Sequence, residues 1–231
     1  MAVEAAAAPA ADRVALVAGA TGLVGREVLA ALLAGSAYAA VHALGRSAPA
    51  IQHAKLKSHN VDFAQLPPLP AVDDVYIALG TTIKVAGSQT AFRAIDFDAV
   101  LAVAHAARKA GATRLGVVSA MGADARSSVF YNRVKGEMEQ ALAGLGFETL
   151  VIARPSMLDG DRASLLQPLR WGERVGLALM GALKPVIPVN YRAIKAGDVA
   201  RALIDAVAEG QPGRRVVLSG EMQPSQDARL L

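Results

Sequence analysis

Cysteine is absent from the sequence, and aromatic residues are rare. The 231 residues include no Cys, 1 Trp, 4 Tyr and 5 Phe. The absence of cysteine excludes disulfide bridges, thiolate-bound zinc, iron–sulfur clusters and a thiol nucleophile. The 4 histidines show neither the HExxH pattern nor a similar ligand spacing, so no metal site is expected.

Long apolar runs and a predominant charge of one sign are lacking as well. No run reaches the roughly 18 apolar residues that span a bilayer, so no membrane partner is expected. The formal net charge is +4, but the basic residues are scattered along the chain, which argues against a nucleic-acid partner. Hydrophobic residues make up 53% of the chain, enough to bury a substantial core.

The first residues, MAVEAAAAPAADR, do not have the pattern of a secretory signal. Glu4 stands where such a signal carries positive charge, and Pro9 interrupts the alanines. We interpret residues 1–12 as a disordered tail and residues 13–231 as a single domain. A cytoplasmic location is expected.

Short runs rich in Val, Ile and Leu alternate with alanine-rich segments of helical period from Arg13 onward. This alternation is typical of β-α units and predicts an α/β fold with one doubly wound parallel sheet flanked by helices. The predicted strands are 14–19, 40–45, 58–63, 74–80, 114–120, 148–154 and 215–220. The predicted helices are 23–34, 89–110, 128–144, 165–181 and 198–208, the last with Asp198 as its N-cap and Gly210 after its end.

A glycine-rich turn, GATGLVG, follows the first predicted strand. In dinucleotide-binding proteins the first glycine permits a tight turn, the second removes a Cβ from the path of the pyrophosphate, and the third lets the helix lie close to the sheet. The N-terminus of that helix offers backbone N–H groups to phosphate. Close helix–strand packing is the alternative explanation. The residues that we assign to a dinucleotide site here are Gly19, Thr21, Gly22, Leu23, Val24 and Gly25.

The residues after the second and third strands bear on which dinucleotide binds. NAD-binding chains usually carry an acidic residue after the second strand, whereas this chain has Arg46 and Ser47. A guanidinium suits the 2′-phosphate of NADP, which a carboxylate would repel. NADP is therefore expected rather than NAD, and an ordinary surface arginine is the alternative. Asp62, after the third strand, is a candidate acceptor for the adenine amino group.

The motif LGTT follows the fourth predicted strand. It places Gly80, Thr81 and Thr82 beside the glycine turn in a doubly wound sheet. Glycine at this point permits close approach to the cofactor ribose, so we assign all three residues to the cofactor site. A plain loop with a threonine N-cap is the alternative.

Two Tyr-x-x-x-Lys pairs occur, Tyr131/Lys135 and Tyr191/Lys195. Side chains four residues apart share one helical face, where an ammonium group stabilises a phenolate and lowers the pKa of the phenol. Such a phenol is a usable general acid. Tyr131 follows Ser119, at the end of the fifth strand, and opens a long predicted helix, whereas Tyr191 follows a proline-rich loop. We therefore favour Tyr131 and Lys135 as the catalytic pair.

Taken together, the motifs resemble those of the short-chain dehydrogenase/reductase superfamily, and within it the atypical NAD(P)H-binding group that includes Tat-interacting-protein-like oxidoreductases. GATGLVG, LGRS, LGTT, YNRVKGEME and ARPSMLDG occur in the order of that family. The resemblance implies a single Rossmann-type domain. It implies that Ser119 hydrogen-bonds a substrate carbonyl, that Tyr131 transfers the proton and that Lys135 binds the nicotinamide ribose. It also implies that Pro155 abuts the nicotinamide.

One departure from the family concerns the proton relay. Better-known members carry an asparagine on the helix after the fourth strand, where this chain reads AIDFD, so Asp96 or Asp98 is the candidate substitute. The expected function is NADP(H)-dependent hydride transfer to or from a small carbonyl or alcohol. A non-catalytic NADP(H)-binding redox sensor is the alternative, and a sugar-nucleotide epimerase or dehydratase is less favoured.

A small C-terminal segment is expected to cover the substrate. It contains Trp171, Leu177, Met180 and Ile187, which suggest an apolar lid, with helical packing on the sheet as the alternative. The expected partner is a small-molecule substrate. The expected oligomeric state is a monomer or a homodimer.

Overall fold

Seven parallel strands form the main sheet of the computed structural model, which describes residues 13–159 and 188–224. The strands are β1 (Val14–Ala18), β2 (Ala40–Gly45), β3 (Leu56–Asn60), β4 (Asp74–Ile77), β5 (Arg114–Val118), β6 (Thr149–Arg154) and β9 (Gly213–Leu218). Their order across the sheet is β3-β2-β1-β4-β5-β6-β9. Two further short strands, β7 (Leu158–Asp159) and β8 (Ile194–Lys195), pair with each other.

Helices cover both faces of this sheet. They are α1 (Leu23–Ala34), α2 (Ile83–Ala86), α3 (Gln89–Arg93), α4 (Val100–Lys109), α5 (Phe130–Ala143) and α6 (Ala196–Glu209). A π-helix, Ala94–Ala99, joins α3 to α4, and a short 3-10 helix, Val189–Tyr191, precedes β8. Within the described ranges, no helix combines the length and the apolar character needed to cross a bilayer.

The core lies on both faces of the sheet, because successive strand side chains point to opposite sides. Ala15 and Val17 of β1 belong to the cluster that α1 and α6 cover. Leu16 and Ala18 belong to the cluster that α4 and α5 cover on the other face. This two-sided burial is typical of parallel sheets and explains why the strands are nearly continuous apolar runs.

The predicted α/β fold with a doubly wound parallel sheet is confirmed, and each predicted strand has a counterpart in it. Helix α1 has its predicted bounds, 23–34. Helix α6 begins at Ala196 with Lys195 as N-cap, so the N-cap expected at Asp198 is wrong, while Gly210 ends the helix in a left-handed conformation as expected. The tail 1–12, the helix predicted over 165–181 and the four lid residues lie outside the described residues.

The strand order determines where a ligand can lie. The chain runs outward from β1 to β2 and β3, and then in the opposite direction from β4 onward. Because the strands are parallel, the loops at their carboxyl ends meet along one edge, with a crevice where the order reverses between β1 and β4. This edge carries the residues that follow β1, β2, β4, β5 and β6.

Candidate active site

The turn after β1 is built against neighbouring backbone. Gly19 has a φ of +87°, and a Cβ there would lie 2.6 Å from the carbonyl oxygen of Ala78. In the first turn of α1, a Cβ on Gly25 would lie 2.0 Å from the carbonyl oxygen of Gly19. Both positions therefore require glycine. The tight turn and the close approach of the helix are present as predicted.

The N-terminus of α1 faces this turn without a side-chain cap. Gly22 is the N-cap residue and makes no side-chain capping hydrogen bond, and the first turn of the helix holds no acidic residue. Free N–H groups at a helix N-terminus attract anions. Thr21 is exposed beside the turn, whereas Val24 is buried under it. The turn therefore fits the pyrophosphate of a dinucleotide.

Arg46 and Ser47 follow β2 at the same edge, and both are exposed. The turn and the end of β2 are directly connected, because the Gly19 N–H donates to the carbonyl of Leu44 at 3.3 Å. Asp62, two residues beyond β3, is exposed, and its Oδ1 accepts the Ala64 N–H at 2.9 Å. The three candidate residues for the adenosine end thus lie beside the turn or one strand further out.

The loop after β4 contacts a buried carboxylate. The Thr81 N–H donates to Asp96 Oδ2 at 2.9 Å, and a Cβ on Gly80 would lie 3.5 Å from Asp96 Oδ1. Thr82 has a local role, because its side chain accepts the Val85 N–H at 3.2 Å and caps α2. For Thr82, the alternative interpretation as a helix N-cap is therefore the one that the structure supports.

Asp96 and Lys135 form a buried ion pair. Lys135 Nζ lies 2.7 Å from Asp96 Oδ1, with 4% and 1% of the two side chains exposed. Oδ1 has no aligned hydrogen-bond donor among the described residues. The Lys135 ammonium at 2.7 Å compensates the charge of Oδ1, and a remaining lone pair of this oxygen can accept from a cofactor hydroxyl. Asp98, the other candidate substitute, is exposed.

The π-helix determines which way the Asp96 side chain points. A π-helix adds one residue to a helical turn and shifts the faces of the residues that follow, which is why it often occurs at functional sites. Phe92, at the end of α3, and Asp96 are both fully buried on the side that meets α5. The single α-helix predicted over 89–110 lacks this extra residue, so it would not shift the faces of the residues that follow.

Tyr131 lies one turn before Lys135 on α5 and is half-buried. Its ring centroid lies 5.4 Å from that of Phe92. Burial, followed by the charge of Asp96, raises the pKa of Tyr131 to about 12. The expectation that the pair lowers this pKa is therefore corrected: burial and the nearby charge of Asp96 both raise it.

A second buried carboxylate holds Ser119. The Ser119 hydroxyl donates to Glu139 Oε1 at 2.5 Å, and Arg154 donates to both Glu139 oxygens, from Nε at 3.0 Å and from Nη2 at 2.5 Å. These hydrogen bonds raise the pKa of Arg154. Glu139 and Arg154 were not identified from the sequence. The four-residue spacing of Lys135 and Glu139 on α5 is the signal that points to Glu139.

Two further predicted features can be placed. Pro155 follows β6 and is buried, and its carbonyl accepts the Met121 N–H at 3.0 Å. Tyr191 is 64% exposed in the short 3-10 helix, and Lys195 lies on β8, so that pair does not share a helical face. Among the described residues, no three His, Asp or Glu side chains cluster as metal ligands.

A protein-family model described as NAD(P)H-binding matches residues 19–210 of the chain. This range includes the glycine turn, both buried carboxylates and the Tyr131/Lys135 pair. An NAD(P)H-binding domain is therefore shown, while a preference for NADP over NAD is not distinguished.

Fungal proteins are similar to the chain over most of their length. The protein fmp52, mitochondrial, of Emericella nidulans is 35% identical over 180 residues, which are 73% of this chain and 75% of that protein. The protein FMP52, mitochondrial, of Candida albicans is 34% identical over 221 residues, 87% of this chain and 92% of that protein. These names state no reaction.

Solved structures share the fold. A short chain dehydrogenase family protein from Francisella tularensis has a TM-score of 0.66 at 14% identity, covering 90% of this chain and 98% of that one. MoeE5 in complex with UDP-glucose and NAD has a TM-score of 0.65 at 16% identity, covering 88% and 74%. The Rossmann-like architecture is thereby confirmed.

The expected cytoplasmic location is contradicted. Both fungal relatives are named as mitochondrial proteins. The expectation depended on the lack of a secretory signal pattern and of a long apolar run. Neither feature distinguishes the cytosol from a mitochondrion, so the inference was unsound.

Proposed function

The chain belongs to the NAD(P)H-binding family, and from that premise we propose that it is an NADP(H)-dependent oxidoreductase of the short-chain dehydrogenase/reductase type. It would transfer hydride to or from a small carbonyl or alcohol, with Tyr131 as the general acid and base. One observation carries this proposal. The buried Lys135, one turn after Tyr131, pairs with Asp96, which accepts from Thr81 in the loop after β4. Hydrogen bonds and ion pairs thus connect the catalytic helix to the cofactor edge.

Each part of the cofactor has candidate residues along this edge. The glycine turn and the N-terminus of α1 would hold the pyrophosphate, and Arg46 with Ser47 would hold the 2′-phosphate that distinguishes NADP. Asp62 would lie toward the adenine. The residues proposed for the nicotinamide ribose and ring are Gly80, Thr81, Asp96, Lys135 and Pro155.

The chemistry divides between cofactor and protein. When bound, the cofactor supplies or accepts the hydride. Tyr131 donates its phenolic proton to the oxygen of a carbonyl substrate, or takes the proton of an alcohol in the reverse direction. Lys135 and Asp96 would lie beside the nicotinamide ribose and fix its position. The closer assignment to the Tat-interacting-protein-like group is part of this proposal.

Ser119 is the second group proposed to contact the substrate oxygen. Its hydroxyl hydrogen is donated to Glu139, so the Ser119 oxygen offers lone pairs in other directions. A substrate hydroxyl can donate to those lone pairs directly. For Ser119 to donate to a substrate carbonyl, as the resemblance implies, its hydrogen must leave Glu139.

The experiment replaces Tyr131 with Phe and screens a panel of aldehydes and ketones with NADPH. Without the phenolic proton, turnover should fall at least about 100-fold, the usual contribution of a general acid. The dissociation constant for NADPH should change by less than about twofold, because the proposed cofactor contacts remain. Tyr191→Phe, which removes an exposed hydroxyl, is the matched control and should leave both unchanged.

Two results would count against the proposal. Turnover that survives Tyr131→Phe would remove Tyr131 from the mechanism. NADPH binding by the wild-type protein with no turnover on any carbonyl would favour the alternative of a redox sensor.

A further inference from the structure

We propose that Asp96 cancels the charge of Lys135, keeps Tyr131 protonated and thereby directs the site toward carbonyl reduction. This inference rests on the proposed function, because it concerns the direction of the same reaction. It also reverses the usual effect of a lysine beside a catalytic tyrosine, which is to stabilise the phenolate.

The first step of the argument is the geometry of the pair. Asp96 and Lys135 lie 2.7 Å apart, and almost nothing of either side chain reaches solvent. The second oxygen of Asp96 is fixed by the Thr81 N–H at 2.9 Å. A carboxylate and an ammonium at this distance form a unit without net charge. An asparagine at the same position would leave the ammonium charge uncompensated.

The second step is the surroundings of the phenol. Tyr131 packs against the fully buried ring of Phe92, which cannot solvate a phenolate. Phe92 lies in the last turn of α3 and Asp96 lies in the π-helix that follows, so one segment supplies both groups that disfavour ionisation. Consistent with this arrangement, burial and the Asp96 charge raise the pKa of Tyr131 to about 12.

Other charged groups on the neighbouring elements have partners of their own. Arg93 of α3 is paired with Glu137 of α5 at 2.5 Å. Arg133, on α5, donates to the backbone carbonyls of Ser127 and Ser128, in the loop before the helix. Further along α5, Glu139 is held by Arg154. Among the described residues, Asp96 and Lys135 are therefore the charges that decide the state of Tyr131.

The consequence for the reaction follows from the proton. In reduction, the carbonyl carbon gains the hydride of NADPH, which becomes NADP⁺, and the oxygen gains the proton of Tyr131, giving an alcohol. The phenolate left behind regains its proton from water. In oxidation, Tyr131 must start as a phenolate, which the neutral pair and the Phe92 ring disfavour at neutral pH.

The test is a tyrosinate absorbance titration of the protein without cofactor or substrate. The chain has 4 tyrosines. Burial raises the pKa of Tyr38 and of Tyr76 well above the usual value, so these two tyrosines stay protonated during the titration. The substitution Tyr191→Phe removes the exposed tyrosine. In the Tyr191→Phe variant, which is the parent for this test, tyrosinate absorbance that develops below about pH 11 comes from Tyr131. We expect no ionisation below pH 10 in the parent.

Asp96→Asn in this background should lower the titration midpoint of Tyr131 by at least one pH unit. Asp98→Asn, an exposed aspartate in the same π-helix, is the matched control and should match the parent. If Asp96 merely supports the fold, the two variants will titrate alike, which overturns the proposal. Ionisation of one tyrosine below pH 9 in the parent overturns it as well, even if Asp96→Asn does not fold.

A double variant, Asp96→Asn with Lys135→Met, removes both charges at once. Because the pair is neutral in the parent, the double variant, like the parent, should show no tyrosine ionisation below pH 10. Ionisation below pH 10 in the double variant would show that the pair does not act as a neutral unit, which overturns the proposal. None of these titrations uses NADPH, so their outcome is separate from the binding and turnover results that test the proposed function.

Discussion

Ser119, Glu139 and Arg154 form a hydrogen-bonded chain across three elements of the fold. Glu139 on α5 accepts from the hydroxyl that follows β5 and from the guanidinium at the end of β6. Only 4% of the Glu139 side chain is exposed. Its two oxygens therefore depend on these donors, and the position of Ser119 depends on Glu139.

Replacing Arg154 with Met should lower the free energy of unfolding by about 2–3 kcal/mol, because a buried carboxylate loses its charged partner. Replacing Glu139 with Leu in the same protein removes that carboxylate and should recover part of the loss. Urea denaturation at pH 7 measures both. Arg215→Met, which breaks an exposed pair with Glu209, is the control and should cost less than about 1 kcal/mol. A double variant less stable than Arg154→Met would contradict this interpretation.

The residues that carry motifs could be selected from the sequence, but their pairing could not. Tyr131 and Lys135 stand at helical spacing, and Ser119 ends a recognisable strand. Whether Lys135 faces a neutral or a charged partner depends on Asp96, 39 positions earlier in the numbering of the chain. Local spacing carries no information about such a contact, so the predicted effect on the Tyr131 pKa had the wrong sign.

At the scale of elements, α1 is fixed against the turn after β1 by Gly25. Gly25→Ala would bring a Cβ to 2.0 Å from the Gly19 carbonyl oxygen, so the helix or the turn must shift. We expect a loss of about 1–3 kcal/mol in the free energy of unfolding and at least tenfold weaker NADPH binding. Thermal unfolding and calorimetric titration measure the two effects.

The matched control is Gly35→Ala at the other end of the same helix. There the nearest atom to an added Cβ is the Ala31 carbonyl oxygen at 3.4 Å, and φ is −77°, so alanine fits with little strain. If both variants bind NADPH like the wild type, the turn is a packing device alone.

Element bounds followed from local pattern wherever the period is regular. The strand AVHALG and helix α1 have their predicted limits. The π-helix escaped prediction because a single inserted residue does not disturb the apolar pattern on either side of it. It is nevertheless the feature that places Asp96, so this part of the site needed the three-dimensional structure.

At the scale of the whole molecule, two buried tyrosines and the half-buried Tyr131 make stability sensitive to alkali. Tyr38 donates to Asp74 at 2.6 Å and contacts the Tyr76 hydroxyl at 2.9 Å. Burial is the largest cause that raises the pKa of Tyr38, Tyr76 and Tyr131. Unfolding releases all three into water, where tyrosines lose their protons near pH 10.

Above pH 10 the unfolded chain therefore binds fewer protons than the folded one, and the free energy of unfolding falls as pH rises. Each tyrosine contributes about 1.4 kcal/mol per pH unit, so three give a slope of roughly 4 kcal/mol per unit up to about pH 12, where Tyr131 ionises in the folded protein. Below pH 10 these groups cause no pH dependence.

Urea denaturation between pH 9 and pH 11.5 measures this slope. Tyr131→Phe should reduce it by about one third, whereas Tyr191→Phe should leave it unchanged because Tyr191 is exposed. A slope that is the same in both variants would mean that Tyr131 ionises equally well in the folded chain.

The fold class was predictable as a whole because the alternation of apolar strands and alanine-rich helices repeats along the chain, and parallel topology follows from it. Cofactor choice depends on finer features than topology. The family match shows NAD(P)H binding, and Arg46 is the residue on which the proposed preference for NADP depends.

The most direct test of the account is a calorimetric titration of the cofactor-free protein with NADPH and NADH side by side. We expect NADPH to bind at least about tenfold more tightly, as a charged contact to the 2′-phosphate provides, and Arg46→Ala to abolish that preference while NADH binding stays unchanged. Arg201→Ala, on α6, is the control and should behave as wild type. Binding of neither dinucleotide, or equal binding of both in the wild-type protein, would contradict the account.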